Sequence, residues 1–194
     1  AALASPAFLA MAPDMQLRGA AQDLYSNIQE AKIRAIKENT PVVVVFNASS
    51  YSYYSDLDRN GAYTASTVDT FTDTNGDGMY NPGEPFEDID GDNVYSGEIA
   101  YATNFNDYDY GITPGTGLAP DNWEGKPLAA PIATTEFRSN GIPSTPGVFY
   151  IQNRNADTCY ALTIETAGSV KLRKYDGADP DDPGYGDVTD HWTN

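Results

Sequence analysis

LRGAAQDLYSNIQEAKIRAIKENTPVVVVF occupies residues 17–46 and decides the fold of this chain. Apolar residues in its first part recur at intervals of three, four and seven, which places them on one face of a helix: Leu17, Leu24, Ile28, Ala31 and Ala35. The tripeptide Asn39-Thr40-Pro41 then supplies a stop, because proline disfavours helical backbone in the residue before it. The spacing therefore predicts a helix over about residues 14–38, followed at once by a strand over 41–46.

The strand PVVVVF has no polar alternation, which is typical of a strand covered on both faces. Four further strands are predicted at residues 132–139, 147–153, 158–166 and 169–175. Apolar residues recur in them with period two, as at Phe149 and Ile151 or at Leu162 and Ile164. Because short links join the last three, these should form an antiparallel meander. The predicted fold class is α+β, with one long N-terminal helix packed on an antiparallel β-sheet.

Composition excludes several functions. The 194 residues carry 11 basic and 28 acidic side chains, a formal charge of −17 that opposes contact with nucleic acid. Cys159 is the single cysteine, so no intrachain disulfide is possible. His191 is the single histidine and lies near the C-terminus, a poor position for a Ser/His/Asp or Cys/His site. A zinc site built on several His and Cys ligands is excluded by count.

The chain divides into a helix (1–40), a globular head (41–175) with an acidic loop insertion (48–130), and an acidic tail (176–194). Periodicity nearly disappears in the insertion, where Gly, Pro, Asn, Asp and Tyr dominate. A structureless stretch of that length is unusual in a compact domain unless something organises it. We expect its tyrosines to be buried beneath the loops or to contact other subunits. The tail carries six aspartates and no Lys or Arg, so we expect it to be flexible.

Acidic residues in the insertion are regularly spaced. Eleven of them lie between positions 56 and 98, against one basic residue, Arg59. Three short stretches place oxygen-bearing side chains at positions one, three and five: DLDRNG (56–61), DTNGDG (73–78) and DIDGDN (88–93). Calcium takes six to eight oxygen ligands, and a loop that curls around the ion presents alternate residues to it. Position six must turn sharply, which suits the residues found there: Gly61, Gly78 and Asn93.

The sequence therefore predicts calcium as a cofactor, with ligands in three sets. The middle set is Asp73, Asn75, Asp77, the Met79 carbonyl, Asn81 and Glu84, with Glu84 at position twelve. The third is Asp88, Asp90, Asp92, Val94 and Glu98, with Glu98 at position eleven, and the first is Asp56, Asp58 and Asn60. Their completeness falls in the order middle, third, first. The alternative is a solvated acidic loop whose Asp-Gly and Asn-Gly pairs only form turns.

Both ends of the chain resemble a known family. The segments that carry the resemblance are AALASPAFLAMAPDMQLRGAAQDLYSNIQEAKIRAIKENTPVVVVF (1–46), TTEFRSNGIPSTPGVFYIQN (134–153) and CYALTIETAGSVKLRKY (159–175). They resemble the type IV pilin-like proteins, and among them the minor pseudopilins of the GspH and FimT group. Residues 1–6 look like the end of the membrane-spanning half of a pilin helix whose first part is missing. The calcium-like insertion is larger than the plain family pattern.

The resemblance implies a non-enzymatic bacterial subunit, held in the inner membrane by its N-terminal helix and processed by a prepilin peptidase, with methylation of the new N-terminus. The subunit would then assemble with other pilin or pseudopilin subunits into a type IV pilus or a type II secretion pseudopilus. Its location would be the inner membrane and periplasm before assembly, and the pseudopilus or extracellular pilus afterwards. Filament contacts should depend on Leu3, Phe8 and Leu9.

Two other classes of function remain open at this point. A secreted calcium-dependent adhesin or glycan-binding module would use the Tyr-rich loops for recognition and would need no membrane-packing helix. A carboxylate-based hydrolase would need two acids in one cleft. The hydrolase ranks last, because the acids follow calcium spacing instead.

Overall fold

The computed structural model describes residues 6–175 and 192–193, with side chains from residue 12 onward. One long helix lies against two antiparallel sheets, and a third, two-stranded sheet lies in the insertion. The elements in chain order are α1 (Pro6–Glu38), β1 (Val42–Phe46), β2 (Ser50–Ser55), β3 (Thr70–Phe71), β4 (Phe86–Glu87), β5 (Ala100–Asn104), a short 3₁₀ helix (Phe105–Asp107), β6 (Thr113–Pro114), β7 (Thr134–Phe137), β8 (Gly147–Gln152), β9 (Cys159–Ile164), β10 (Val170–Tyr175) and β11 (Trp192–Thr193).

Helix α1 packs one apolar stripe against both sheets. All five residues of the predicted helix face have no exposed surface, so that prediction is confirmed. The helix ends after Glu38, where Asn39 takes a left-handed conformation with φ of 52°. The Thr40 N–H then donates to the Ala35 carbonyl at 3.3 Å, a bond typical of helix C-termini. The predicted stop is therefore also confirmed.

The first sheet has the strand order β5-β2-β1-β7, and all its pairs are antiparallel. Val42, Val44 and Phe46 of the central strand β1 belong to the main core with α1. Val43 and Val45 lie in a second cluster on the outer face. The absence of alternation in PVVVVF thus has the predicted cause, because both faces of β1 are covered.

The second sheet has the order β11-β10-β9-β8-β6, and it contains the predicted meander β8-β9-β10. Its inner face adds Phe149, Ile151 and Leu162 to the main core. The rings of Phe149 and Phe46 stack with centroids 4.4 Å apart, which joins the two sheets beneath α1. The α+β class is confirmed, with two principal sheets where the sequence predicted one.

Two strands of the first sheet, β2 and β5, lie inside the predicted loop insertion (48–130), where no strand was predicted. Strand β2 reads SYSYYS, and tyrosine and serine occupy both of its faces. Tyr51 and Tyr53 are buried in the main core, while Tyr54 is buried on the outer face. The strand has no aliphatic period-two pattern because tyrosine supplies the buried surface on both sides.

Residues 56–99 lie outside both principal sheets and have a small aromatic core of their own. It consists of Phe71, Tyr80, Phe86 and Tyr95, in which the rings of Tyr80 and Tyr95 stack at 4.0 Å. Strands β3 and β4 carry the two phenylalanines as a facing pair. The expectation that tyrosines are buried beneath the loops is confirmed for Tyr80 and Tyr95.

The C-terminal strand β11 attaches part of the predicted tail to the head. Trp192 pairs with Tyr175 and is 8% exposed. Its indole N–H donates to the Asp121 carbonyl at 3.1 Å, and its ring meets the edge of Trp123. These two residues of the tail are therefore docked, and the prediction of flexibility for 176–191 and 194 lies outside the described residues.

Candidate metal-binding loops

Three twelve-residue loops begin at the predicted aspartates: loop 1 (56–67), loop 2 (73–84) and loop 3 (88–99). Positions are counted from the first aspartate of each loop. One carboxylate oxygen of that aspartate accepts the backbone N–H of position six in every loop. The donor and acceptor residues, each pair at 2.9 Å, are Gly61 and Asp56, Gly78 and Asp73, and Asn93 and Asp88.

Backbone conformation is also shared by the three loops. Positions four and six have positive φ in each, and the residues are Arg59 and Gly61, Gly76 and Gly78, and Gly91 and Asn93. Two left-handed residues separated by one other residue curl the chain tightly, so that successive N–H groups point at the first aspartate. The requirement for a sharp turn at position six, predicted from sequence, is met in all three loops.

Side chains at positions three and five accept backbone N–H groups two residues further on. For position three the acceptors are Asp58, Asn75 and Asp90. For position five they are Asn60, Asp77 and Asp92, which accept from Ala62, Met79 and Val94. Each side chain is thus held with an oxygen inside its loop. The position-seven residues predicted to offer carbonyls, Met79 and Val94, follow directly on this turn.

A final carboxylate closes each loop by accepting the N–H groups of positions two and nine. In loop 2 this closing carboxylate is Glu84, which accepts from Thr74 at 2.7 Å and from Asn81 at 2.9 Å. The Asn81 side chain also donates to Asp77 at 2.9 Å. Loop 2 therefore closes within its own twelve residues, as its sequence predicts.

Loop 1 is closed by Glu98, which the sequence analysis placed in the third set. Glu98 accepts the N–H of Leu57 at 2.7 Å and that of Thr64 at 2.8 Å. Its carboxylate lies with those of Asp56 and Asp58, all within 4.8 Å of one another. The assignment of Glu98 to loop 3 is corrected on this geometry.

Loop 3 is closed by Asp69, a residue absent from the predicted ligand set. Asp69 accepts the N–H of Ile89 at 3.0 Å and that of Ser96 at 2.9 Å. It forms a second cluster with Asp88 and Asp90, again within 4.8 Å. The antiparallel pairing of β3 with β4 brings Asp69 next to loop 3. Because Asp69 lies outside the twelve residues of loop 3, the spacing within that loop cannot identify it as the closing carboxylate.

The closing carboxylates are buried: Asp69 is 2% exposed, Glu98 3% and Glu84 8%. Burial raises the pKa of Glu98 above its ordinary value despite its two N–H bonds, and repulsion from Asp56 and Asp58 adds to this. Burial would likewise raise the pKa of Glu84, but the N–H bonds from Asn81 and Thr74 bring it below its ordinary value. The N–H of Ile89, followed by that of Ser96, lowers the pKa of Asp69.

Among the described residues, no salt bridge balances the negative charge of the loops. The ion pairs among the described residues join Arg34, Lys126 and Lys171 to acids elsewhere, and none involves a loop carboxylate. Backbone N–H groups hold the carboxylates in place but supply no net positive charge. Each oxygen of the Glu98 and Asp69 carboxylates accepts one backbone N–H, which leaves a second lone pair to which a hard cation could still coordinate. Three other loop oxygens already accept two hydrogen bonds each: Asp58 Oδ2, Asp77 Oδ2 and Glu84 Oε1.

Loop 2 differs from the other two loops at position three. Asn75 replaces the aspartate found there in loops 1 and 3, so loop 2 has no carboxylate at position three. The remaining carboxylates of loop 2 are Asp73, Asp77 and Glu84. Loops 1 and 3, which sequence ranked below loop 2, are the two that gather three carboxylates closely.

The residues predicted for assembly fall at the N-terminal end. Leu3 lies outside the described residues, and Phe8 and Leu9 are described only as backbone of α1. Within the described chain, no helix combines the length and the apolar character needed to cross a bilayer.

The structure thus places one long helix on antiparallel sheets, with the acidic loops inserted in the head. The chain belongs to the GspH family of type II transport proteins, whose family model matches residues 20–168. The resemblance to GspH-type pseudopilins expected from the sequence is thereby confirmed.

Among solved structures, the chain is similar to the minor pseudopilin EpsH from the type 2 secretion system of Vibrio cholerae. The identity is 13%, the TM-score is 0.46, and the match covers 81% of this chain and 95% of that one. No curated protein matches the chain.

Proposed function

We propose that this protein is a structural, non-enzymatic subunit of a type II secretion pseudopilus, and that calcium bound in loops 1, 2 and 3 braces its head. The pseudopilus role is carried by the family match over residues 20–168. That range covers α1 from residue 20, the first sheet, the insertion and strands β6, β8 and β9 of the second sheet. In this role the head contributes surface to a filament built with other pseudopilin subunits. The family match favours this role over that of a free adhesin.

Anchoring is part of the same proposal. In the complete protein, α1 would continue toward the N-terminus into a segment held in the inner membrane, and that segment would be methylated after processing. The uncharged stretch 1–13 is compatible with packing against lipid or against neighbouring helices. Leu3, Phe8 and Leu9 are the residues proposed for those contacts. The acidic head would lie in the periplasm.

The role is tested in a bacterium that carries the gene. Deletion should reduce secretion of type II substrates into the medium, and the protein should crosslink to other pseudopilins in membranes of the complemented strain. Mass spectrometry of the native protein should find a methylated N-terminus upstream of residue 1. Normal secretion together with no crosslinked pseudopilin would contradict the proposal.

Calcium binding is supported by the repeated geometry of the three loops. Each loop directs the same set of oxygens inward: the first aspartate, positions three and five, and a closing carboxylate. Together with the position-seven carbonyl, these groups come close to the six to eight oxygens that calcium requires. The cation would relieve repulsion within the clusters of loops 1 and 3.

Loops 1 and 3 are each closed by a carboxylate from outside their own twelve residues, and this gives the proposed calcium sites a structural role. Glu98 ties loop 1 to the chain just before β5, and Asp69 ties loop 3 to the chain just before β3. An ion in loop 1 would therefore link the two ends of the segment 56–99, next to β2 and β5 of the first sheet. An ion in loop 3 would link the chain beside β3 to the chain beside β4 within the insertion.

Calcium binding is tested by melting the protein in chelator, in calcium and in magnesium. A ligand at a hundred times its dissociation constant stabilises a protein by about 2.7 kcal/mol per site. Magnesium should stabilise less, because it demands a small octahedral site and retains its waters. Native mass spectrometry should find up to three calcium ions, one for each loop. Equal melting temperatures in chelator and calcium would rule out the bracing role.

A further inference from the structure

Strand β5 is an outer strand of the first sheet, and β2 is its one strand partner in the part of the chain that the structure describes. The N–H of Phe105, just after β5, donates to Ser49 beside β2 at 2.7 Å, so odd-numbered residues point their N–H groups at β2. The N–H of Ala100 instead donates away from β2, to the Tyr80 carbonyl at 2.8 Å. Because N–H directions alternate along a strand, even-numbered residues of β5 face the sheet edge.

Beyond Ala100 this edge is open among the described residues. Ala102 and Asn104 are exposed, and neither backbone N–H donates to any described residue outside the strand pair. The strand sequence AYATN contains no proline and no charge. Proteins usually protect an outer strand with such residues or with a covering segment, because unpaired edge groups invite another strand. Tyr80 covers only the start of this one.

Two clefts flank the open edge, and Ala102 and Thr103 line both of them. The outer cleft, about 550 Å³, lies between the first sheet and loop 2. The inner cleft, about 370 Å³, lies on the side of α1. A strand added beside β5 would send alternate side chains into the two clefts, since side chains alternate along a strand.

The outer cleft is polar and acidic. Asp77 and Asp107 line it, and no Lys or Arg does. The three carboxylates of loop 2 outweigh the charge of one divalent ion, so negative charge remains even with calcium bound. Ser52 also lines this cleft; it is 3% exposed, and its hydroxyl has no hydrogen-bond partner among the described residues. A buried hydroxyl without a partner is costly, so a docked polar group would satisfy it.

The inner cleft has one aromatic wall, which lies beside the polar side chains of Asn27, Asn81 and Thr103. The rings of Tyr53 and Tyr101 stack there at 5.1 Å, next to Pro82. Its acid, Glu30, is paired with Arg34 at 3.3 Å, which reduces the charge on this side. The two clefts therefore differ: the acids of the outer cleft favour a basic side chain, and the tyrosine rings and Pro82 of the inner cleft favour an apolar one.

We propose that the β5 edge docks an extended segment of a partner protein in which basic residues alternate with apolar ones. Backbone hydrogen bonds to Ala102 and Asn104 would give affinity, and the two clefts would set the register. A second copy of this chain is disfavoured as the occupant, because two such edges would bring acidic clefts together on molecules of charge −17.

The test uses a nine-residue peptide of alternating lysine and valine, added to the full chain in calcium buffer. Two further peptides carry N-methyl groups, one on all lysine amides and the other on all valine amides. In an extended strand these two sets of N–H groups point to opposite edges. One methylated peptide should therefore bind about tenfold more weakly, the expected effect of losing two hydrogen bonds of ordinary strength, while the other binds normally.

Amide hydrogen exchange and a protein variant complete the test. Exchange at Ala102 and Asn104 should slow when the peptide binds. Ala102→Pro removes an outward N–H at an outer strand, where proline is tolerated, and its ring also occupies the edge, so binding should weaken by about tenfold or more. Equal weakening by both methylated peptides, with no slowed exchange, would show charge attraction alone and overturn the proposal. It would also fail if the peptide does not bind at millimolar concentration, or if the edge instead forms dimers that Ala102→Pro removes.

Discussion

Glu98→Gln tests whether the Glu98 carboxylate closes loop 1. The Glu98 carboxylate accepts two N–H groups and lies within 4.8 Å of the Asp56 and Asp58 carboxylates. Glutamine keeps the size of the side chain but removes the charge and one acceptor. If calcium binds as proposed, the variant should lose the ion of loop 1 and keep those of loops 2 and 3.

The size of the effect depends on calcium. In chelator the variant loses one hydrogen bond to a charged acceptor, about 1.5 to 3 kcal/mol, partly offset by the removed repulsion from Asp56 and Asp58. In calcium at a hundred times the dissociation constant, it loses a further 2.7 kcal/mol or so of linkage energy. For a chain of this size, that further loss lowers the melting temperature by about 5 to 11 °C.

Thermal melting followed by circular dichroism measures the change. For each protein, the melting temperature in chelator is subtracted from that in calcium. This rise in melting temperature does not include the destabilisation that the variant already has in chelator. Glu87→Gln is the matched control, since Glu87 is an exposed glutamate of the insertion outside the three carboxylate sets. The control should keep the full rise, whereas Glu98→Gln should show a smaller one.

Double variants identify the loop to which Glu98 belongs. Asp58→Asn should add little to the calcium effect of Glu98→Gln, because both remove the same ion. Asp90→Asn should add its full effect, since it acts on loop 3. The opposite pattern would refute the closure of loop 1 by Glu98 and restore the assignment made from sequence. An unchanged rise in Glu98→Gln would refute calcium binding at loop 1.

Three further predictions concern the scaffold. Gly168→Ala should destabilise the protein by more than about 1 kcal/mol in urea unfolding, because φ is +81° and a Cβ would lie 2.3 Å from the Gly141 carbonyl oxygen. Its control, Gly19→Ala, adds a Cβ in open space on α1 and should stabilise by about 0.5 to 1 kcal/mol. Leu24→Ala should cost about 2 to 5 kcal/mol in the same assay, since Leu24 has no exposed surface. Burial raises the pKa of Cys159 to about 12, so iodoacetamide at pH 8 should label the unfolded protein and leave the native one unlabelled; rapid native labelling would contradict the burial.

Local patterns were sufficient for much of the fold. The helix face, its end at Asn39, strand β1 and the meander all follow from spacing within short continuous segments. Strands β2 and β5 were not predicted, because SYSYYS and AYATN have no aliphatic alternation. Their assignment depends on pairing with β1 and with each other, which is a non-local property.

In the acidic loops, too, local features could be predicted from the sequence and non-local contacts could not. Spacing alone located all three first aspartates and the sharp turns at position six, since those features lie within six residues. Loop 2 could also be completed from sequence, because Glu84 lies within the same twelve residues. Glu98 and Asp69 could not be placed, because each closes a loop that lies elsewhere in the sequence.

The sequence by itself determined the helix, the principal hydrophobic strands, the start of each loop and the family of the protein, because these features are written in residues that are neighbours along the chain. The tertiary structure alone decided which carboxylate closes which loop and which strand is left at the open edge. Leu57 and Glu98, for example, are 41 residues apart and meet only because β5 pairs with β2. Contacts of that kind depend on how strands pair, and no spacing along the chain records them.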